Sequence, residues 1–313
     1  MSSPSNLTLH DPSNPPPHAT GPVGEPRPFY WSIRRELWEN RSIYLAPFIV
    51  AAVVLFASAI GTMTAAQRTR HAPANVPAKP HSSVSSPVRM APAPIMLASF
   101  LVGFFYCLDT LYGERRERSI LFWKSLPVSD RTTVLSKATI PLAVLPAIAF
   151  ALSVVTQILI LQLGSLFMLG SGDSPSRLWA EARFFSGLVI MLYGLIVHAL
   201  WFAPIYAWLL LVSAWAKRAP VLWALLPILG ISALERMAFN TWHFMHMLQY
   251  RVTGAMLEGF AHKPKGGGGG DFSRLSQLDP VKFLGAPGLW VGLLFTVMFL
   301  AAAVRLRRSR EPI

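Results

Sequence analysis

Six runs almost free of formal charge constrain this chain more than any other feature. A helix crossing the hydrocarbon core of a bilayer needs about 20 apolar residues. Runs of this kind lie at about residues 43–63, 90–111, 139–168, 185–212, 220–235 and 288–304. The third belongs to a stretch of 35 uncharged residues, 138–172, roughly 52 Å of helix. No polar turn divides it, which predicts one tilted or protruding span rather than two. The fifth is the shortest, with 16 residues at 219–234 ahead of Glu235 and Arg236. Beyond it Phe239, Trp242, Phe244 and Met245 stand among His, Arg and Asn. That mixture predicts a span that breaks near Glu235 and continues as a short amphipathic or re-entrant segment, which is tolerated where protein or a cavity covers it. The expected fold class is an all-α integral membrane protein.

Composition points the same way. The chain is 53% hydrophobic and 14% charged, against about 25% charged in a soluble domain. Disorder throughout is excluded by the same hydrophobicity. The net charge of +13 raises the question of nucleic acid, but the basic residues stand in short clusters beside apolar runs, as membrane topology requires. No nucleic-acid partner is expected. The single cysteine, Cys107, leaves no disulfide framework or multi-cysteine metal site. Its apolar surroundings predict a buried thiol.

Residues 1–28 are rich in Pro, Ser and Asn and have no basic segment leading into an apolar core, which predicts a disordered tail rather than a signal peptide. In residues 29–41, Tyr30, Ile33, Leu37 and Trp38 follow one helical face, with Arg34, Arg35, Glu36 and Glu39 mostly elsewhere. A short interfacial helix is expected there, leading into a six-helix domain over 42–310. The Pro- and Ser-rich stretch 65–89 and the five glycines at 266–270 read as loop and flexible linker. Six spans put both termini on one side. Arg34, Arg35, Arg41, Arg115, Arg116, Arg118, Lys124, Arg131, Lys137, Lys217, Arg218, Arg305, Arg307, Arg308 and Arg310 gather there, and the loop between the third and fourth spans has only Arg177 and Arg183. Both termini are therefore expected in the cytoplasm, since long loops such as 65–89 and 236–282 weigh less in this count.

Chemistry is scarce. The chain has no GxxxxGK[ST] to cradle phosphates, no HExxH and no GxSxG, so no catalytic residue, bound cofactor or metal is expected. His243 and His246 stand three apart, but two imidazoles without a third ligand read as interfacial decoration. Asp109 and Glu235 close the second and fifth spans. Carboxylates at membrane depth are functional candidates, yet a headgroup-level position explains both, and on opposite faces they cannot form an acid–base pair. No internal repeat is visible, against the inverted-repeat transporters.

The most informative segment joins the second and third spans: Leu111-Tyr-Gly-Glu-Arg-Arg-Glu-Arg-Ser-Ile-Leu-Phe-Trp-Lys-Ser-Leu-Pro-Val-Ser-Asp130. Gly113 breaks the span, residues 114–118 form a mixed-charge turn, residues 120–123 offer an apolar face, and Pro127 ends the helix. Read as residues alone, it is either a docking knob for another protein or a loop whose aromatics rest on headgroups.

This segment resembles the cytoplasmic loop of type 2 ATP-binding-cassette exporter permeases, in which a Tyr-Gly-Glu-Arg start leads through an Arg-rich helix to a Leu-Pro-Val-Ser end. The general plan extends the resemblance over about residues 30–310, including a second cytoplasmic loop at 213–220. The long outer loop 65–89 and the Gly-rich insert depart from many members. The resemblance implies a coupling helix seated on a separate ATPase subunit, with Glu114, Arg115, Arg116, Arg118, Phe122, Trp123 and Pro127 as its candidates. It implies a homodimer of permeases with two ATPases, ATP and Mg held by those partners, and the inner membrane of a bacterium. It also implies a substrate path lined by the second and fifth spans, where Phe100, Phe104, Phe105, Tyr106, Trp223 and Leu226 favour an amphipathic or hydrophobic substrate. The alternatives are a membrane scaffold or assembly factor, and an ion-coupled carrier, which the scarcity of mid-membrane carboxylates disfavours.

Overall fold

The computed structural model describes residues 28–70, 87–117, 128–171, 174–260 and 275–309. Among them the chain is helical and has no strand, only an isolated bridge between Phe260 and Leu278. The helices are α1 (Pro28–Glu39), α2 (Ser42–Arg70), α3 (Pro92–Arg116), α4 (Asp130–Thr139), α5 (Leu145–Ser171), α6 (Pro175–Ala182), α7 (Phe184–Trp215), α8 (Pro220–Phe239), α9 (His243–Gly259), α10 (Pro280–Gly285) and α11 (Pro287–Ser309). Six helical stretches are long and apolar enough to cross a membrane: Ser42–Thr64, Pro87–Arg116, Asp130–Leu169, Leu178–Trp215, Pro220–Phe239 and Pro287–Ser309. They are the six runs of the sequence, and they define a helical multi-pass membrane protein.

Proline sets many of the boundaries. Helices α1, α3, α6, α8, α10 and α11 all begin on proline, where its missing N–H is one the helix would not use. Pro141 instead lies inside the third span. It cannot donate to the preceding turn, and the backbone passes through one π turn at Ile140–Val144 before continuing as α5. The third run is therefore a single rod from Asp130 to Ser171.

Helix α7 is the hub. It packs against α11, α3, α9 and α5, while α2 lies across α5 and α3. Its Trp201, Tyr206 and Leu210 are buried, and Cys107 of α3 is fully buried in one core with Tyr206 and Leu210. Helix α8 sits at the edge and buries only Ala224 and Ser232. Trp208 Nε1 of α7 donates to the Ala224 carbonyl at 3.3 Å, and the Trp215 and Trp223 rings meet edge to face at 4.7 Å. Large apolar side chains such as Phe56, Leu166, Leu229 and Met237 point outward, the surface of a protein whose solvent is lipid.

Helix α8 continues past Glu235. It runs to Phe239 because nothing interrupts it before Asn240, whose left-handed φ of 54° closes the helix. The Glu235 carboxylate reaches forward instead. It accepts from the backbone N–H groups of His243 (2.7 Å) and Phe244 (2.9 Å) and from the Thr241 hydroxyl (2.7 Å), capping α9 and fixing the turn. Helix α9 then folds back onto α7. Gly254 permits the approach, since a Cβ there would stand 2.5 Å from the Trp201 ring. Trp201 Nε1 seals the contact by donating to the Arg251 carbonyl at 2.8 Å.

Helix α1 turns a polar face toward the bundle. Ser32 and Glu36 are buried, while Tyr30 and Trp38 are exposed. A polar face turns inward because a buried lysine waits for it.

Candidate functional site

The starts of α2, α4 and α8 and the ends of α1, α3, α7 and α11 form one end of the bundle, and there the charges of four elements interlock. Lys137 of α4 is 1% exposed, yet its Nζ donates to Glu36 Oε1 of α1 at 2.7 Å. The same ammonium donates to Thr110 Oγ1 of α3 at 2.7 Å and lies 3.1 Å from Glu114 Oε1. Arg307 of α11 donates to the second Glu114 oxygen and, through Nε at 3.1 Å, to Asp130. Arg35 joins the carboxylates of Glu36 (2.8 Å) and Glu114 (3.1 Å). Tyr106 donates its hydroxyl to Glu36 Oε2 at 2.8 Å. Three carboxylates thus meet three cations in a site almost closed to solvent.

Burial alone would raise the Glu36 carboxyl, but Lys137, Arg35 and the Tyr106 hydroxyl outweigh it and hold it at about 2. The pairing keeps this carboxylate ionised at neutral pH. It is a fastening. Buried ion pairs add little net stability compared with an apolar packing, but removing one partner strands a charge and is costly. Any shift of α1, α3, α4 or α11 that parts one of these charges from its partner is therefore penalised.

A second fastening lies beside it. Arg115 is buried and donates to the carbonyls of Ala214 (2.8 Å) and Ala216 (3.1 Å). Ser213 Oγ accepts from the backbone N–H groups of Leu111 (3.1 Å) and Tyr112 (2.9 Å). The end of α3 is thereby joined to the turn between α7 and α8, and Ser129 caps α4 by accepting from the Thr132 N–H at 3.1 Å. Both roots of the 118–127 segment, at Glu114 and at Asp130, are held by the same Arg307.

Of the seven loop candidates, Glu114 and Arg115 face inward and bind this chain's own groups, while Arg116 is exposed with its guanidinium over the Tyr112 ring. Arg118, Phe122, Trp123 and Pro127 lie outside the described residues. The six path candidates do not share a wall. Phe100 lines an interior cavity with Phe202 and His198, Tyr106 belongs to the knot, Phe104 is half-buried, and Phe105, Trp223 and Leu226 are exposed. The reason is geometric, because residues 104, 105 and 106 point about 100° apart around a helix. His243, His246 and Asp109 are exposed, and among the described residues no three His, Cys, Asp or Glu side chains form a metal site.

Sequence reasoning missed Glu36, Lys137, Asp130 and Arg307 as a site and counted the cations for topology only. The available signal was charge of both signs at one membrane level in four different elements. No family model, no curated protein and no solved structure matches this chain.

Proposed function

We propose that this chain is the membrane-spanning permease subunit of a type 2 ATP-binding-cassette exporter, driven by a separate ATPase subunit. The carrying observation is that both roots of the loop between the second and third spans are clamped, through Glu114, Asp130 and Arg307, to the same buried knot. A loop that receives a push is useful only if its roots cannot yield. Here the push would pass into α3, α4, α11 and, through Arg115, into the turn before α8.

In this reading both termini and the charge knot lie in the cytoplasm, in keeping with the Lys and Arg distribution. Helix α1 lies in the interface plane, with Trp31 and Trp38 exposed and Arg34 stacked between them at about 5 Å from each ring. Helices α8 and α9 are the two limbs of a broken fifth helix. Two copies of the chain assemble in the inner membrane of a bacterium with two ATPases that hold ATP and Mg, and they export an amphipathic or hydrophobic substrate.

A pull-down of tagged chain from native membranes tests the reading. Trp and Arg are the side chains most enriched among interface hot spots, each worth about 2 kcal/mol or more. Trp123→Ala and Arg116→Glu should release the ATPase while insertion is unchanged, and Trp38→Ala should retain it. Full ATPase retention by Trp123→Ala would contradict the coupling assignment and favour a scaffold.

A further inference from the structure

A cavity of about 810 Å³ lies inside a single chain, between α3, α5, α7 and α9, at the upper part of the range, about 300–1,000 Å³, typical of ligand sites. Its polar groups are sorted by depth. At the end away from the knot stand Arg89, at the start of the second span, and Arg183, at the head of α7; both are exposed and line the cavity.

Gln157 of α5 joins them there, because its Nε2 donates to the Val88 carbonyl at 3.0 Å. The other end of that carboxamide is the telling atom. Gln157 is 7% exposed, it lines the cavity, and its Oε1 has no hydrogen-bond partner among the described residues. A buried carbonyl oxygen left without a donor is costly, so a ligand that brings an O–H there is favoured.

Below this collar the walls are apolar, formed by residues such as Met96, Phe100 and Phe202. The floor is the pair His198 and Tyr206, whose Nε2 and hydroxyl lie 3.1 Å apart. Phe100 stands eleven residues along the span from Arg89, roughly 16 Å, about one leaflet of a hydrocarbon core about 30 Å thick.

We propose that this intrasubunit cavity binds an anionic membrane phospholipid whose head carries a hydroxyl. The phosphate lies between Arg89 and Arg183, the head hydroxyl donates to Gln157 Oε1, and an acyl chain descends past Phe100 toward His198. Arginines at a span end can serve lipid headgroups in general. An unpartnered carboxamide oxygen inside the cavity is what turns a surface preference into a built site. The inference does not rest on the transport reading, because occupancy is read on the isolated chain with no ATPase present.

The test uses the full chain, delipidated in neutral detergent and titrated with defined lipids while retained lipid is counted by native mass spectrometry. Phosphatidylglycerol should bind saturably, about tenfold tighter than phosphatidylcholine. Arg89→Ala and Arg183→Ala should each erase most of that preference. Gln157→Leu should weaken phosphatidylglycerol by about fivefold, the size of one hydrogen bond. It should leave phosphatidylmethanol, which has the charge but no hydroxyl, unchanged. Gly187→Phe and Gly194→Phe should abolish binding with normal elution and melting, because a Cβ at Gly187 meets nothing within 4 Å and one at Gly194 meets only Phe260 at 3.9 Å. Should one of these two variants fail to fold, the other decides. Equal retention of phosphatidylglycerol and phosphatidylcholine overturns the proposal. So does phosphatidylglycerol that stays bound in the cavity-filled variants, which would place it in the lipid annulus.

Discussion

Lys137 and Glu36, 101 residues apart in the chain, meet at 2.7 Å with both side chains 1% exposed. The pair joins a helix that precedes the first span to the beginning of the third. Removing either partner leaves the other charge buried. Glu36→Gln and Lys137→Met should each destabilise the protein by about 3 kcal/mol. The two changes should combine with a coupling energy of at least about 1.5 kcal/mol in a double-mutant cycle, read from chemical or thermal unfolding in detergent.

The same carboxylate sets an acid limit. Its pKa falls from 4.5 to about 2 on folding. A group with a lowered folded pKa contributes stability that is fully present above the unfolded value and is lost as pH falls through the folded one. The contribution is about 3 kcal/mol, present above about pH 4.5 and gone by about pH 2. Melting temperature followed from pH 6 to pH 2 should drop across that window in the wild type. Glu36→Gln should be less stable at pH 6 and show a flatter profile, and parallel profiles would separate Glu36 from the acid limit.

Much of this architecture is legible in the sequence because the bilayer demands length and apolarity, and those are one-dimensional properties. The third run reads as one span since Pro141 only loosens a turn that the neighbouring residues carry through. What the sequence conceals is pairing. Nothing near Glu36 announces that Lys137 will meet it, and amphipathic periodicity assigns Glu36 to the wet face of α1. Glu114 and Arg115 illustrate the same limit. Their place in a loop motif says that they matter, while only the fold reveals that they turn inward to Arg307 and to the Ala214 carbonyl. Glu235 lies beyond periodicity altogether, since its partners are backbone N–H groups eight and nine residues ahead.

Orientation can be read directly by cysteine labelling in a Cys107→Ser background, Cys107 itself being fully buried. Cysteines at Ser83 and Gly268 should react with an impermeant maleimide in intact cells. Cysteines at Ser125 and Ser309 should react only after permeabilisation. Labelling of position 125 in intact cells would invert the topology and put the charge knot outside.

The central claim is that the loop between the second and third spans touches an ATPase. Photo-crosslinking from that loop measures it most directly. A photoreactive amino acid placed at Trp123 is activated in native membranes, and the adduct is probed with a photoreactive ATP analogue. The account predicts a crosslinked product containing a second chain, with the nucleotide label on that chain and none on this one. A crosslinker at Trp38 should give lipid adducts only. If the Trp123 position yields the same lipid adducts as Trp38 and no nucleotide-labelled partner, the loop rests on headgroups and the exporter account is contradicted.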